Sequence, residues 1–291
     1  MGDYMQIIKL NPQGYCGGVK RALKLINDAL NDPNVKKPIW MLGNIIHNKN
    51  VINELTDKGV KCVDSKTKTR YEMLDLIDEG TVVFSAHGIS PRVVEKAKAK
   101  GLNIIDATCP NVYIVHKNII SHLNDGYTIL YIGTPSHPEA EAVLELDNRI
   151  IFISSIGQID SLTISGKIYV TNQTTLSSYD IKDYFRKIIK KYPNAIIDDK
   201  ICQATTLRQK AVIEQKADLC IVVGDKSSSN SQKLKTVCEK NANIKSYIIE
   251  DEFELDINWF NGIDTVSVTS GASTPDEITD RVIKKIESFN L

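Results

Sequence analysis

The chain has 291 residues, 42% hydrophobic and 25% charged, enough for one large core or for two or three smaller ones. Its 36 Lys and Arg balance 36 Asp and Glu, so no basic excess marks a nucleic-acid or membrane surface. Apolar runs such as Ile129-Leu130-Tyr131-Ile132 are far too short to span a membrane, and the opening Met1-Gly2-Asp3-Tyr4-Met5-Gln6 lacks the basic start and cleavage site of a signal peptide; a cytoplasmic protein is expected.

In chain order, the first strand-like run is Ile7-Ile8-Lys9-Leu10. It leads to Cys16 and then to the helical pattern Val19-Lys20-Arg21-Ala22-Leu23. Pro38-Ile39-Trp40-Met41-Leu42 follows, ending at Gly43 with His47 four residues on and a helix-like Val51-Ile52-Asn53-Glu54-Leu55. Thr81-Val82-Val83-Phe84 then leads to Ala86-His87-Gly88. The cycle restarts at Asn103-Ile104-Ile105, which precedes Cys109 and a helix over 112–120. The strand over 129–132 ends at Gly133, with His137 four residues on and a helix over 139–146. Lys167-Ile168-Tyr169-Val170 leads to Gln173-Thr174-Thr175. A third cycle begins at Ala195-Ile196-Ile197, ahead of Cys202 and a helix over 207–213. Cys220-Ile221-Val222-Val223 ends at Gly224 with Ser228 four residues on, and Thr265-Val266-Ser267-Val268 leads to Gly271-Ala272-Ser273. Pro91 and Pro275 suit helix first turns.

Cys16, Cys109 and Cys202 are 93 residues apart in both intervals, a period that marks an internal repeat. Strands alternating with helices predict parallel sheets, whose ligands bind beyond the carboxyl ends of the strands. The expected fold is α/β: three similar units with mainly parallel sheets about a pseudo-threefold axis and a central cavity. The expected units are 14–100, 101–196, and 197–291 together with 1–13.

No two of the six cysteines form a Cys-x-x-Cys pair, and a reducing compartment disfavours disulfides. A thiolate at a helix N-terminus is a better ligand or nucleophile. Three of them can hold three irons of a [4Fe–4S] cube and leave the fourth iron open. Cys62, Cys220 and Cys238 lie within apolar patterns and read as core. The spacing alone does not choose iron over zinc, because the close pairs of structural zinc and the runs of ferredoxins are both missing.

His47, His87 and His137 stand in repeat loops, whereas His116 and His122 read as structural. With Thr174, Ser228, Ser229, Asn230 and Ser273, the loop histidines describe an anion site of mainly neutral donors near helix N-termini. The competing reading of the Ser, Thr and Asn residues is ordinary N-capping. Glu139, in a helix first turn, is a candidate general acid whose pKa neighbouring anions and thiolates would raise.

Nine motifs together resemble the 4-hydroxy-3-methylbut-2-enyl diphosphate reductase family (IspH/LytB) over residues 9–285. They are Gly14-Tyr15-Cys16-Gly17-Gly18-Val19-Lys20-Arg21-Ala22, Ile46-His47-Asn48, Ala86-His87-Gly88, Asp106-Ala107-Thr108-Cys109-Pro110, His137-Pro138-Glu139, Gln173-Thr174-Thr175, Ile201-Cys202-Gln203-Ala204-Thr205, Ser228-Ser229-Asn230 and Gly271-Ala272-Ser273. Asn111 and Gln203 depart from the family's usual residues. The resemblance implies one [4Fe–4S] cluster on Cys16, Cys109 and Cys202, with an open iron that binds the substrate's hydroxyl. It implies diphosphate binding by His47, His87, His137, Ser228, Ser229, Asn230 and Ser273, and proton supply by Glu139 with Thr174. Electrons would come singly from ferredoxin or flavodoxin, and the products would be isopentenyl and dimethylallyl diphosphate, at the last step of the non-mevalonate isoprenoid pathway. Two other classes remain open on the residues alone: a zinc hydrolase of a phosphorylated small molecule, and a non-catalytic iron–sulfur sensor. The sensor would need a DNA- or partner-binding element, and the sequence offers no basic patch for one.

Overall fold

A computed structural model describes residues 5–65 and 67–289. Residues 1–4, which open the signal-peptide reading, and 290–291, which end the expected third unit, lie outside the described residues.

The elements run β1 (Gln6–Lys9), α1 (Gly17–Asn31), β2 (Ile39–Leu42), α2 (Lys49–Asp57), β3 (Lys61–Val63), α3 (Arg70–Met73), β4 (Thr81–Phe84), α4 (Pro91–Ala99) and β5 (Asn103–Asp106). They continue with α5 (Pro110–Asn124), β6 (Thr128–Ile132), α6 (Pro138–Leu144), β7 (Ile150–Ile153), α7 (Gln158–Ser161), β8 (Ile168–Asn172), α8 (Ile181–Lys191) and β9 (Ile196–Ile197). The last are α9 (Gln203–Glu214), β10 (Leu219–Val223), α10 (Ser229–Asn241), β11 (Lys245–Ile249), β12 (Thr265–Ser270) and α11 (Asp276–Glu287).

The strands form three four-stranded sheets, ordered β3-β2-β4-β5, β7-β6-β8-β9 and β11-β10-β12-β1. Every pairing is parallel. The repeat is therefore structural, and the chain's first strand takes the fourth place in the last sheet. β5 begins after residue 100 yet pairs with β4, and β9 spans residues 196 and 197.

Central strands such as Leu219-Cys220-Ile221-Val222-Val223 are buried on both faces, which explains their unbroken apolar runs. Helices cover them with one stripe each: α1 buries Val19, Ala22, Ile26 and Ala29, at helical spacing. Each sheet has its own core. Leu42, Val82, Phe84 and Val93 sit in the first, Val115, Ile129, Tyr131 and Tyr169 in the second, and Ile221, Val223, Val268 and Val282 in the third.

By Cα proximity the chain groups into two compact bodies. One holds Met1–Cys16, Thr175–Ser178 and Ile201–Leu291, with the third sheet. The other holds Gly17–Thr174 and Tyr179–Lys200, with the first two sheets. Among the described residues, no helix is long and apolar enough to cross a membrane.

Candidate active site

In each sheet the chain order reverses between the first and third strands of the unit, β2/β4, β6/β8 and β10/β12. Connections leave these strands to opposite sides and open a crevice at their carboxyl ends. The expected polar residues follow these strands: His47 and His87, His137 and Thr174, Ser228 and Ser273. The cysteines follow the fourth strands β5, β9 and β1.

In the body that holds the first two sheets, the three loop histidines meet. Ring centroids lie 4.6 Å apart for His47 and His87, 5.6 Å for His87 and His137, and 5.9 Å for His47 and His137. His137 is buried and caps α6, its Nδ1 accepting from the Glu139 amide at 3.1 Å. Burial, with the His47 and Arg70 charges, holds its pKa down at about 3. His87 is held well below the usual imidazole range, first by burial and then by His47, His137 and Arg70. Its buried Nδ1 makes no hydrogen bond. His87 and His137, kept neutral first by burial and then by neighbouring positive charge, suit an anion, because a negative charge beside them would offset both effects.

Glu139 is 1% exposed. Thr174 donates to it twice, from its backbone N–H to Oε1 at 2.8 Å and from its hydroxyl to Oε2 at 2.9 Å. Tyr131, on β6, donates to Oε1 at 3.5 Å. Burial pushes the Glu139 carboxyl up to about 7, against the lowering effect of these hydrogen bonds. The raised pKa was expected, but its cause is burial rather than neighbouring anions. Such a group exchanges a proton near neutrality, as general acids do.

The body that holds the third sheet brings together Ser228, Ser229, Asn230 and Thr205. Ser228 caps α10, its Oγ accepting from the Ser231 amide at 3.4 Å, so the capping role is present here. Thr205 Oγ1 donates to Asn230 Oδ1 at 3.4 Å, and the buried Asn230 Nδ2 makes no hydrogen bond. A Cβ at Gly271 would stand 2.3 Å from Ser231 Oγ, so only glycine lets the Ser273 loop approach α10 this closely.

The cysteine loops are pinned in a repeated way. Cys109 N–H donates to Ala86 O at 3.0 Å, and Cys16 N–H donates to Ala272 O at 3.0 Å. Each acceptor immediately precedes a site residue, His87 or Ser273. Cys202 Sγ lies 3.1 Å from Thr205 Oγ1. Arg208, on α9, is buried and donates to Gly14 O at 2.6 Å, Ser270 O at 3.2 Å and Ala204 O at 3.2 Å. It also attracts Cys16 and Cys202 electrostatically. Gly14, at φ +69°, turns the chain into this grip.

None of the six cysteines is in a disulfide, and Cys16, Cys109 and Cys202 are half-buried. Cys109 and Cys202 cap α5 and α9, and Cys16 directly precedes α1. As a donor set they suit iron–sulfur ligation. Among the described residues no three His, Cys, Asp or Glu side chains are gathered as ligands of a single ion. Cys220 and Cys238 are buried as expected, whereas Cys62 is only half-buried, on the edge strand β3 beside Asn44. Of the remaining histidines, His116 is buried against Gly88 and His122 stacks on Tyr169 at 3.7 Å.

Three side chains at these sites were not singled out from the sequence: Tyr131, Arg70 and Arg208. Each lies in an ordinary strand or helix pattern, and only tertiary packing directs it inward.

The family described as "LytB protein" matches residues 7–287. A 4-hydroxy-3-methylbut-2-enyl diphosphate reductase of Geobacillus sp. (strain WCH70) is 45% identical, over 98% of this chain and 91% of that protein. The protein of that name from Brevibacillus brevis is 42% identical over 98% and 93%. The solved structure of the E-1-hydroxy-2-methyl-but-2-enyl-4-diphosphate reductase from Plasmodium falciparum is similar with a TM-score of 0.90 at 31% identity, covering 97% of this chain and 87% of that one. A second solved reductase, described as the terminal enzyme of the non-mevalonate pathway, gives a TM-score of 0.66 at 31% identity, covering 98% and 99%. The chain belongs to the LytB family, as its motifs, its three parallel sheets and these relatives agree.

Proposed function

We propose that this chain is a cytoplasmic 4-hydroxy-3-methylbut-2-enyl diphosphate reductase. Two electrons and two protons remove the substrate's hydroxyl as water and leave isopentenyl or dimethylallyl diphosphate. Cys16, Cys109 and Cys202 would hold a [4Fe–4S] cluster, which would supply single electrons and Lewis acidity. Ferredoxin or flavodoxin is the proposed electron donor.

The chain's own residues supply binding and protons. His47, His87 and His137 receive the diphosphate together with Ser228, Ser229, Asn230 and Ser273, and the unpaired Asn230 Nδ2 is one donor in waiting. Glu139 gives its proton toward the departing hydroxyl, because hydroxide is a poor leaving group and water a good one. Thr174 holds the carboxylate that remains through the two hydrogen bonds described above. A carbanionic product precursor would be quenched in bulk water, so the site must exclude solvent as it forms.

The observation that carries the reading is Glu139: a carboxyl 1% exposed, poised near neutrality and fixed from both oxygens by one threonine. The test is anaerobic iron and sulfide analysis with turnover of the hydroxylated diphosphate, for wild type and Glu139→Gln. Near four irons in both proteins, with turnover lost only in the variant, supports the assignment. Zinc, or no metal, in protein prepared without air overturns it.

A further inference from the structure

A buried cation, Arg70, lies close enough to the histidines for its charge to act on His87 and His137. Arg70 opens α3, a single turn fixed by a capping box in which Glu72 N–H donates to Thr69 Oγ1 and Thr69 N–H to Glu72 Oε2. Its side chain turns inward and is 8% exposed. Nη2 donates to Ser85 Oγ at 3.5 Å, and Nη1 lies 3.5 Å from Glu141 Oε2. A Cβ on Gly43 would stand 3.4 Å from Nη2, so that loop rests on the guanidinium. Nε is buried and makes no hydrogen bond.

Each of these neighbours belongs to a different histidine. Gly43 precedes His47 by four residues, and Ser85 precedes His87 by two. Glu141 lies one turn along α6 from His137, its amide donating to the His137 carbonyl at 3.0 Å. We infer that Arg70 is a positioning residue of the proposed diphosphate pocket: its guanidinium is the shared neighbour of the three segments that carry His47, His87 and His137, and it supplies the pocket's fixed positive charge. The inference rests on reading the three histidines as an anion site.

The charges around Arg70 fit this role. A guanidinium stays protonated throughout the accessible pH range. Glu141, Asp64 and Glu145 offset part of its charge; Glu141 sits on α6, the helix His137 caps, and Glu145 ends that helix. Toward the pocket it faces imidazoles, and its charge is among the causes that lower the pKa of both His87 and His137. The guanidinium charge therefore stands beside His87 and His137 rings that stay neutral. A bound polyanion meets that cation and draws protons onto the rings.

The probe is inorganic diphosphate, titrated calorimetrically into the whole protein in two buffers of different ionisation enthalpy, with histidine ring titrations followed by NMR. Arg70→Gln is expected to weaken diphosphate about tenfold at pH 8. It should also raise the titration midpoints of His87 and His137, since a repelling charge is gone. Arg70→Lys keeps the charge and should restore most of the binding. Glu141→Gln leaves Arg70 less compensated and should lower the His137 midpoint further, which a purely structural latch between α3 and α6 would not do. If wild type binds diphosphate while Arg70→Gln binds it equally well with unmoved midpoints, the inference is overturned. Should Arg70→Gln not fold, an unmoved His137 midpoint in Glu141→Gln overturns it instead. If wild type itself does not bind inorganic diphosphate, the anion-site reading falls first.

Discussion

Thr174 reaches both carboxylate oxygens of Glu139, with its amide on one and its hydroxyl on the other. The two donors lie on one residue after β8, while Glu139 opens α6 after β6, so the neighbouring strands of one crevice set the geometry of the acid.

Glu139 must be protonated to act as an acid, and its carboxyl titrates near 7. Turnover should therefore fall as pH rises through about 7, and Glu139→Gln should lose it by at least ~100-fold at every pH. The same group affects stability. The native state holds this proton more tightly than the unfolded chain, so stability should decline between the ordinary carboxyl range and pH 7. Glu139→Gln should then resist urea better than wild type at pH 8, by up to ~3 kcal/mol, and show no such advantage at pH 4. Denaturation curves at the two pH values decide it.

Thr174→Val removes the hydroxyl and keeps the amide. The lost hydrogen bond favoured the charged carboxylate, so the Glu139 pKa should rise and the descending limb of the pH–rate profile should move to higher pH. Thr174→Ser should restore the wild-type profile. A profile unmoved in Thr174→Val would separate Thr174 from the acid.

His137 both caps α6 and faces its fellow histidines. His137→Ala should cost about 1 kcal/mol of stability through the lost cap, in addition to weaker diphosphate binding. His87 caps no helix, so His87→Ala should weaken binding without that loss. Thermal melts paired with diphosphate titrations separate the two effects.

Cys16→Ala, Cys109→Ala and Cys202→Ala should each fail to retain a full complement of iron and sulfide under anaerobic preparation. Cys62→Ala should retain it, since Cys62 sits on an edge strand beside Asn44. Equal iron content in all four variants would remove the ligand assignment.

Arg208 satisfies three backbone carbonyls, including Gly14 O two residues from Cys16. Arg208→Met should cost about 3 kcal/mol by leaving buried acceptors unpaired, readable as a lower urea midpoint. Cys16 should also become more accessible to alkylation in the metal-free protein.

The buried strands were legible because burial on both faces demands unbroken apolar runs, as in Leu219 to Val223. The site residues were legible because a repeat places equivalent loops at equivalent strand ends. The edge strands β3, β7 and β11 were not recognised: Lys61-Cys62-Val63 is three residues long and partly exposed, too short to show a period. Arg70 was hidden for a related reason. An arginine at the start of a four-residue helix looks like solvated surface, and its inward partners Ser85 and Glu141 are 15 and 71 positions away. The N-capping reading holds at Ser228, and His137 caps a helix as well; a cap leaves the proposed anion-binding role open to test.

β1 pairs with β12 from Gln6↔Thr265 to Lys9↔Val268, so the earliest strand to leave the ribosome finds its partner only after some 260 residues of further synthesis. The first two sheets draw on strands that follow one another closely in the chain, whereas the third must await β12. Cys16, anchored through Ala272, thus waits unsupported for most of translation. A chain stalled before β12 would present an unpaired β1 to chaperones, with the Cys16 loop not yet pinned.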